Sequence, residues 1–348
     1  MSRAKVEAKF PSVTEIAKAE AFPTVTWDLE PHSEGFLPVA AGRGGPFNVH
    51  WEIHGEGPAK VVFVCGMAVF KTSYQRQTMY FGHVHGDKYS VLLVDNRGMG
   101  QSDKPLMRYS SSAMAADVIE VMDHVEWTGE RELHICGLSL GGMISQEIAY
   151  AIPNRVASLN LCCTAAAIEN TTTWAENMTN RITMLLPKSP DRSLSYSAAA
   201  LFPASWLSEP DQDVVPTPST PRVRGGPYLH FRTNYERFGA QEIAKSRSPN
   251  FTKAGFLLQL IAGGWHHKSP EQLKTIGDKV GRERILVIHG TEDRVITCPH
   301  GEKLIKYLQP GTSMIVPGMG HAPVMERAAW FNGLIEEMIE KGEKLSGR

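Results

Sequence analysis

Between residues 47 and 164, short apolar runs rich in Val, Ile and Leu alternate with longer stretches in which apolar positions recur every three or four residues. The runs at 47–54, 60–65, 90–95, 132–136 and 156–162 have strand length and β-branched content, so they read as strands. The stretches at 72–85, 112–126 and 140–152 read as helices, the second carrying Met114, Val118, Val121, Met122 and Val125 on one face. Strand alternating with helix predicts an α/β fold in which a mostly parallel central sheet is flanked by helices. The pattern lapses over 165–268. It resumes with a strand at 284–289, a helix at 299–308, a strand at 313–316 and a last helix at 324–341.

The expected organisation is therefore an N-terminal extension with a possible first strand over 1–46, a core made of 47–164 and 269–348, and an inserted, mainly helical lid over 165–268. The extension is expected to pack on or near the core. Inside the insert, Pro216, Pro218, Pro221 and Pro227 with Gly225 and Gly226 exclude both helix and central strand, so a loop is expected between two helical segments. Trp174, Met178, Met184, Phe202, Trp206, Phe231, Tyr235, Phe238, Phe256 and Trp265 give the insert enough apolar surface to cap a pocket. Most of them are expected in its own core.

A chain of 348 residues with 42% hydrophobic residues is long enough for a large core and is not disordered by default. With 36 Lys+Arg against 37 Asp+Glu it has no basic field to gather nucleic acid or an anionic membrane, and a small, weakly charged ligand fits better. The five cysteines include no C-x-x-C pair, so reduced, buried thiols are expected and a structural zinc site is not. His266-His267 is not expected to hold a metal, because adjacent side chains diverge and no carboxylate completes a set. The first 22 residues lack the apolar core of a signal peptide, and no uncharged apolar run reaches the roughly 18 residues that a membrane span needs. A soluble cytoplasmic protein is expected.

The candidate chemistry begins at Gly137-Leu138-Ser139-Leu140-Gly141, a G-x-S-x-G segment lying between a predicted strand and a predicted helix. A serine on a sharp strand-to-helix turn needs glycine neighbours where the two backbones nearly touch. The turn also sets its hydroxyl at the positive end of the following helix, where developing negative charge is favoured. A serine hydroxyl is a weak nucleophile until a base takes its proton. His321, in the loop Gly318-Met319-Gly320-His321 before the last helix, has the best setting of the 13 histidines. Asp293, in His289-Gly290-Thr291-Glu292-Asp293, follows a late strand, where open α/β sheets place their sites. It would fix the imidazole's tautomer. Spacing alone leaves Glu292 open as the acid, with the shorter Asp293 preferred.

The elbow, the order Ser, Asp, His, the H-G-x-x-D segment and the G-x-G-H segment together resemble the α/β-hydrolase superfamily, from residue 47 to the C-terminus apart from the insert. Asp95-Asn96-Arg97-Gly98-Met99-Gly100-Gln101-Ser102 is similar to a structural turn of that family. The resemblance implies a catalytic triad of Ser139, Asp293 and His321 and an oxyanion hole formed by the backbone N–H groups of Met67 and Leu140. It also implies acyl transfer through an ester on Ser139, with no metal or organic cofactor. Cys65-Gly66 stands where many relatives carry His-Gly, which changes a supporting side chain but not the backbone donor.

Ser139, rather than an aspartate, separates the chain from epoxide hydrolases and haloalkane dehalogenases. The segment from Gly137 to Glu147 is similar to small-molecule esterases and enol-lactonases. The expected activity is thus hydrolysis of a small, apolar carboxylic ester or lactone. The alternatives are an acyltransferase or a carbon–carbon hydrolase using the same triad, or a ligand receptor that retains it.

Overall fold

Alternation along each strand decides which core a side chain joins. In the strand Ala59–Val64, Val62 and Val64 face one apolar layer while Val61 and Phe63 face the other. Leu92 and Val94 against Val91 and Leu93, and Val287 against Leu286 and Ile288, repeat the split. A sheet apolar on both faces requires a cover on both. One cover contains the helices Ser111–His124, Leu140–Ala151, Pro270–Val280 and Cys298–Leu308, and the other contains the helical run 71–84 and the helix Ala328–Leu345.

The structure, a computed structural model, describes residues 10–169 and 188–348. The strands are β1 Asp28–Leu29, β2 Ser33–Val39, β3 Phe47–His54, β4 Ala59–Val64, β5 Tyr89–Val94, β6 Leu133–Leu138, β7 Val156–Cys162, β8 Val223–Arg224, β9 Ile285–Gly290 and β10 Thr312–Val316. Eight of them form one sheet in the order β10-β9-β7-β6-β4-β5-β3-β2. The pairings from β10 through β5 are parallel, and β3 is antiparallel to both β5 and β2. The mostly parallel sheet flanked by helices expected from the sequence is present, with strand limits within two residues of expectation. The carboxyl ends of β4, β6, β7 and β9 lie side by side at its centre.

Two helices differ from expectation. The run at 71–84 opens as a 3₁₀ turn (Lys71–Tyr74) and ends in wider π-type winding (Thr78–Val84). There it passes β3 so closely that a Cβ on Gly82 would lie 2.5 Å from that of His54. The last helix is two: Pro323–Glu326, then Ala328–Leu345, broken at Arg327 with φ −137° and ψ 45°. The break lets the buried Glu326 carboxylate turn back and accept the Gly320 N–H at 2.8 Å.

Between β7 and β9 the described residues form the helices Pro190–Leu201, Ala204–Ser208, Asn234–Arg247 and Lys253–Gly264, and 209–222 hold neither helix nor strand. Phe202, Leu207, Phe231, Tyr235 and Phe238 build a separate apolar cluster, which also takes in Ile16, Ala21 and Val25. The N-terminal extension thus packs onto these helices, with Phe10 stacked on Tyr235 at 4.0 Å, while its β2 joins the sheet edge. Each large apolar side chain buried there contributes roughly 1.5–3 kcal/mol, an amount the short helix Val13–Ile16 could not supply from propensity alone. Trp265 is not in that cluster. As the C-cap of its helix it is 74% exposed, with the Arg108 guanidinium over its ring. Trp174, Met178 and Met184 lie outside the described residues. Among the described residues, no helix is long and apolar enough to cross a membrane.

Candidate active site

Ser139 adopts φ 58° and ψ −124° at the junction of β6 and the helix Leu140–Ala151. An L-residue reaches such a conformation only where its surroundings over-determine it, and here they do. A Cβ on Gly137 would lie 2.3 Å from the Gly141 carbonyl oxygen, and one on Gly141 would lie 2.0 Å from that of Val64. The Ser139 N–H donates to the Cys162 carbonyl at 3.0 Å, and the Thr164 hydroxyl donates to the Ser139 carbonyl at 2.7 Å. The turn is therefore held from β4, β7 and the helix at once, and Ser139 remains half-buried rather than sealed.

Asp293 is buried at the end of β9, where both of its oxygens have close partners. Its Oδ1 accepts the N–H groups of Val295 and Ile296, both at 2.9 Å, while Oδ2 lies 2.7 Å from His321 Nδ1 and 3.3 Å from His289 Nε2. Burial alone would raise this carboxyl, but the two imidazoles and their hydrogen bonds outweigh it and hold Asp293 well below the usual carboxylate range. Glu292 points away, its half-exposed carboxylate 3.7 Å from Arg294. The geometry thus resolves the choice of partner that spacing left open. Asp293 is held ionised, so Oδ2 meets His321 as an acceptor and Nδ1 carries the proton, which in a neutral imidazole leaves the lone pair on Nε2.

His321 is buried and braced through its backbone. Its N–H donates at 2.7 Å to the carbonyl of Leu201, the last residue of the helix Pro190–Leu201. The final carbonyls of a helix lack partners within it and form its negative end, and a second of them, Ala199, takes the Arg294 guanidinium at 3.1 Å. Cys163 ties the histidine loop to the elbow: its thiol lies 3.7 Å from the Gly320 carbonyl, while its neighbour Cys162 accepts the Ser139 N–H. Burial and the Asp293 carboxylate push the Cys163 thiol well up, so it stays neutral beside the imidazole. Ser139, Asp293 and His321 thus follow the carboxyl ends of β6, β9 and β10, with β7 between β6 and β9.

Leu140 begins its helix, where N–H groups have no partner within the helix. Met67 lies in the loop after β4, next to Gly66, whose added Cβ would sit 3.7 Å from that of Ser139. Leu140 thus directly follows the serine, and the loop carrying Met67 approaches it at Gly66. His289, Cys163, Leu201, Glu326 and Gln259, which also contact these loops, are residues that the motifs did not single out. His289 sits inside the H-G-x-x-D segment and could have been found there; Gln259 is one polar residue in an otherwise apolar helical run.

His266 belongs to a different setting, with its Nδ1 2.8 Å from the Ser111 hydroxyl and Lys268 ion-paired to Glu147 nearby. Glu34, His50 and Glu52 bring three ligand-type atoms together, and the Lys71 ammonium already pairs with Glu52 at 3.2 Å and with Asp95 at 3.1 Å.

Comparison with known proteins agrees with this architecture. A hydrolase of known structure from Pseudomonas aeruginosa superposes with a TM-score of 0.64 at 22% identity, covering 89% of this chain and 99% of that one. Among curated proteins, a putative carbamate hydrolase, RutD, from Azorhizobium caulinodans is 28% identical over 48% of this chain and 59% of its own length. 3-Oxoadipate enol-lactonase 2 from Acinetobacter baylyi is 31% identical over 33% of this chain and 40% of its own. The chain therefore matches only about half the length of these curated relatives. The family profile for the alpha/beta hydrolase fold matches residues 81–328, a span that includes the serine turn, Asp293 and His321, and the chain belongs to that family.

Proposed function

We propose that this protein is a serine hydrolase that cleaves a small, apolar carboxylic ester or lactone through an acyl-enzyme on Ser139. The observation that carries the reading is the buried 2.7 Å bond between His321 Nδ1 and Asp293, which assigns Nε2 the role of base for Ser139 at its strained turn. In the first half-reaction the Ser139 oxygen attacks the substrate carbonyl as His321 Nε2 takes its proton. The carbonyl oxygen gathers negative charge and is met by the N–H groups of Met67 and Leu140. As the C–O bond to the leaving alcohol breaks, His321 returns the proton to it. Water then repeats the sequence on the acyl-enzyme, which balances without any other reactant.

The residues flanking the elbow and its facing loop are apolar, with Leu138 packed on one core layer and Leu140, Met143 and Met67 in or on the other, which favours an apolar acyl group. The partial match to an enol-lactonase supports a lactone as one form of the substrate. Residues 165–268 act as the lid: the helices they contribute reach both the His321 loop and the loop carrying Met67.

The test is labelling with a fluorophosphonate, followed by turnover of a panel of p-nitrophenyl esters and lactones. Labelling should disappear in Ser139→Ala and slow greatly in His321→Ala. A Ser139→Ala protein that is still labelled at another serine would remove Ser139 from the mechanism.

A further inference from the structure

The helix Lys253–Gly264 has the sequence KAGFLLQLIAGG, in which Gln259 is the one polar residue after the first position. That glutamine is fully buried. A buried amide costs stability unless both of its ends find partners, and both do. Its Oε1 accepts the Ala68 N–H at 2.8 Å, and its Nε2 donates to the Arg97 carbonyl at 3.0 Å. One side chain from the insert therefore bridges the loops that follow β4 and β5.

The bridge falls at a particular peptide. The Ala68 N–H belongs to the peptide between Met67 and Ala68. The Cys65 carbonyl, on the peptide between Cys65 and Gly66, accepts from Asn96 Nδ2 at 2.8 Å. The peptide between them, Gly66–Met67, carries the N–H assigned to the oxyanion. It is thus fixed from both sides, by Asn96 from within the core and by Gln259 from the insert. Ala68 has φ 57°, a conformation an L-residue keeps only when held. The helix itself is seated against the loop after β5, since a Cβ on Gly255 would lie 2.0 Å from the Gly98 carbonyl oxygen.

We propose that Gln259 is a positioning residue for the oxyanion hole: by fixing the Met67–Ala68 peptide it aims the Met67 N–H at the carbonyl oxygen of the transition state. The inference rests on the serine-hydrolase reading above. Removing an oxyanion donor outright costs about 10²–10³ in rate, and loosening one costs less.

The experiment compares wild type, Gln259→Leu and Gln259→Glu by steady-state kinetics on the best ester of the panel and by the rate of fluorophosphonate labelling, with thermal melts to establish folding. Gln259→Leu is expected to lower kcat about 10- to 100-fold with KM within threefold, and to slow labelling in parallel. Gln259→Glu adds a readout that survives if the leucine variant does not fold. Its ionised carboxylate can accept from Ala68 but repels the Arg97 carbonyl, whereas the protonated acid restores both bonds. Its kcat relative to wild type should therefore rise as pH falls.

A folded Gln259→Leu with kcat within threefold of wild type overturns the proposal. So does a raised KM at unchanged kcat, or a Gln259→Glu to wild-type ratio that does not vary with pH. Wild-type protein that is not labelled at Ser139 would instead mark the failure of the serine-hydrolase reading.

Discussion

Replacing Asp293 with asparagine tests the hydrogen-bond polarity of the site with almost no change in shape. Oδ1 accepts two backbone N–H groups at 2.9 Å, and an amide NH2 cannot accept either. The asparagine oxygen must therefore stay at the Oδ1 position, which places the NH2 where Oδ2 now meets His321 at 2.7 Å. His321 Nδ1 then has to accept, and its proton moves to Nε2, the atom that must be free to take the proton of Ser139. The side chain stays and the base is lost. In serine triads this change costs about 10⁴ in kcat, which at 1.36 kcal/mol per tenfold is about 5 kcal/mol of activation free energy. We expect Asp293→Asn to lose about four orders of magnitude in kcat on a p-nitrophenyl ester at neutral pH. Glu292→Gln, altered at a half-exposed carboxylate, should stay within twofold to threefold of wild type. An Asp293→Asn enzyme retaining a tenth of wild-type kcat, or a Glu292→Gln enzyme as impaired as it, would refute the assignment of the acid.

Two further outcomes follow from other contacts. Gly141→Ala places a Cβ 2.0 Å from the Val64 carbonyl oxygen, and relief requires moving the end of β4, so urea unfolding should show a loss of about 1–3 kcal/mol; an unchanged midpoint would mean the elbow is looser than described. Burial, with the Lys268 ammonium adding to it, lowers His266 to about 3. An unfolded imidazole binds its proton near 6.5, so stability is complete above that pH and is lost as pH falls towards 3, by at most about 1.4 kcal/mol per pH unit from this group. Denaturation series between pH 6.5 and 4.5 should show a shallower dependence for His266→Gln, and identical slopes would contradict the assignment.

The strands were legible because a short Val- and Ile-rich run between helical patterns has few alternatives, and β3 and β7 have the limits the sequence predicts. The residues of the candidate site were legible because each sits in a short segment with glycine where two backbones meet. What remained hidden depends on partners far apart in sequence. The choice between Asp293 and Glu292 turns on which carboxylate enters the space beside His321, and periodicity carries no such information. The break at Arg327 was invisible because Val324, Phe331, Leu334 and Ile335 continue a helical spacing straight through it. Trp265 was expected with the apolar residues of the insert, but its place as a C-cap leaves it on the surface. The docking of the residues around Ile16 on the helices between β7 and β9 was hidden for the same reason, since Ile16 finds its partners near residues 194 and 238.

The bond from the His321 N–H to the Leu201 carbonyl bears on how such a protein can be re-engineered or can diverge. Exchanging the region between β7 and β9 for that of a relative is an obvious route to a new substrate range. Here that region is no detachable module, because the stretch around Leu201 and Phe202 forms part of the wall behind the histidine, so close that a Cβ on Gly320 would lie 2.4 Å from the Leu201 oxygen. A graft whose junctions keep residues 198–202 with the recipient preserves that wall, whereas one that replaces them must bring an equivalent helix end to the same spot.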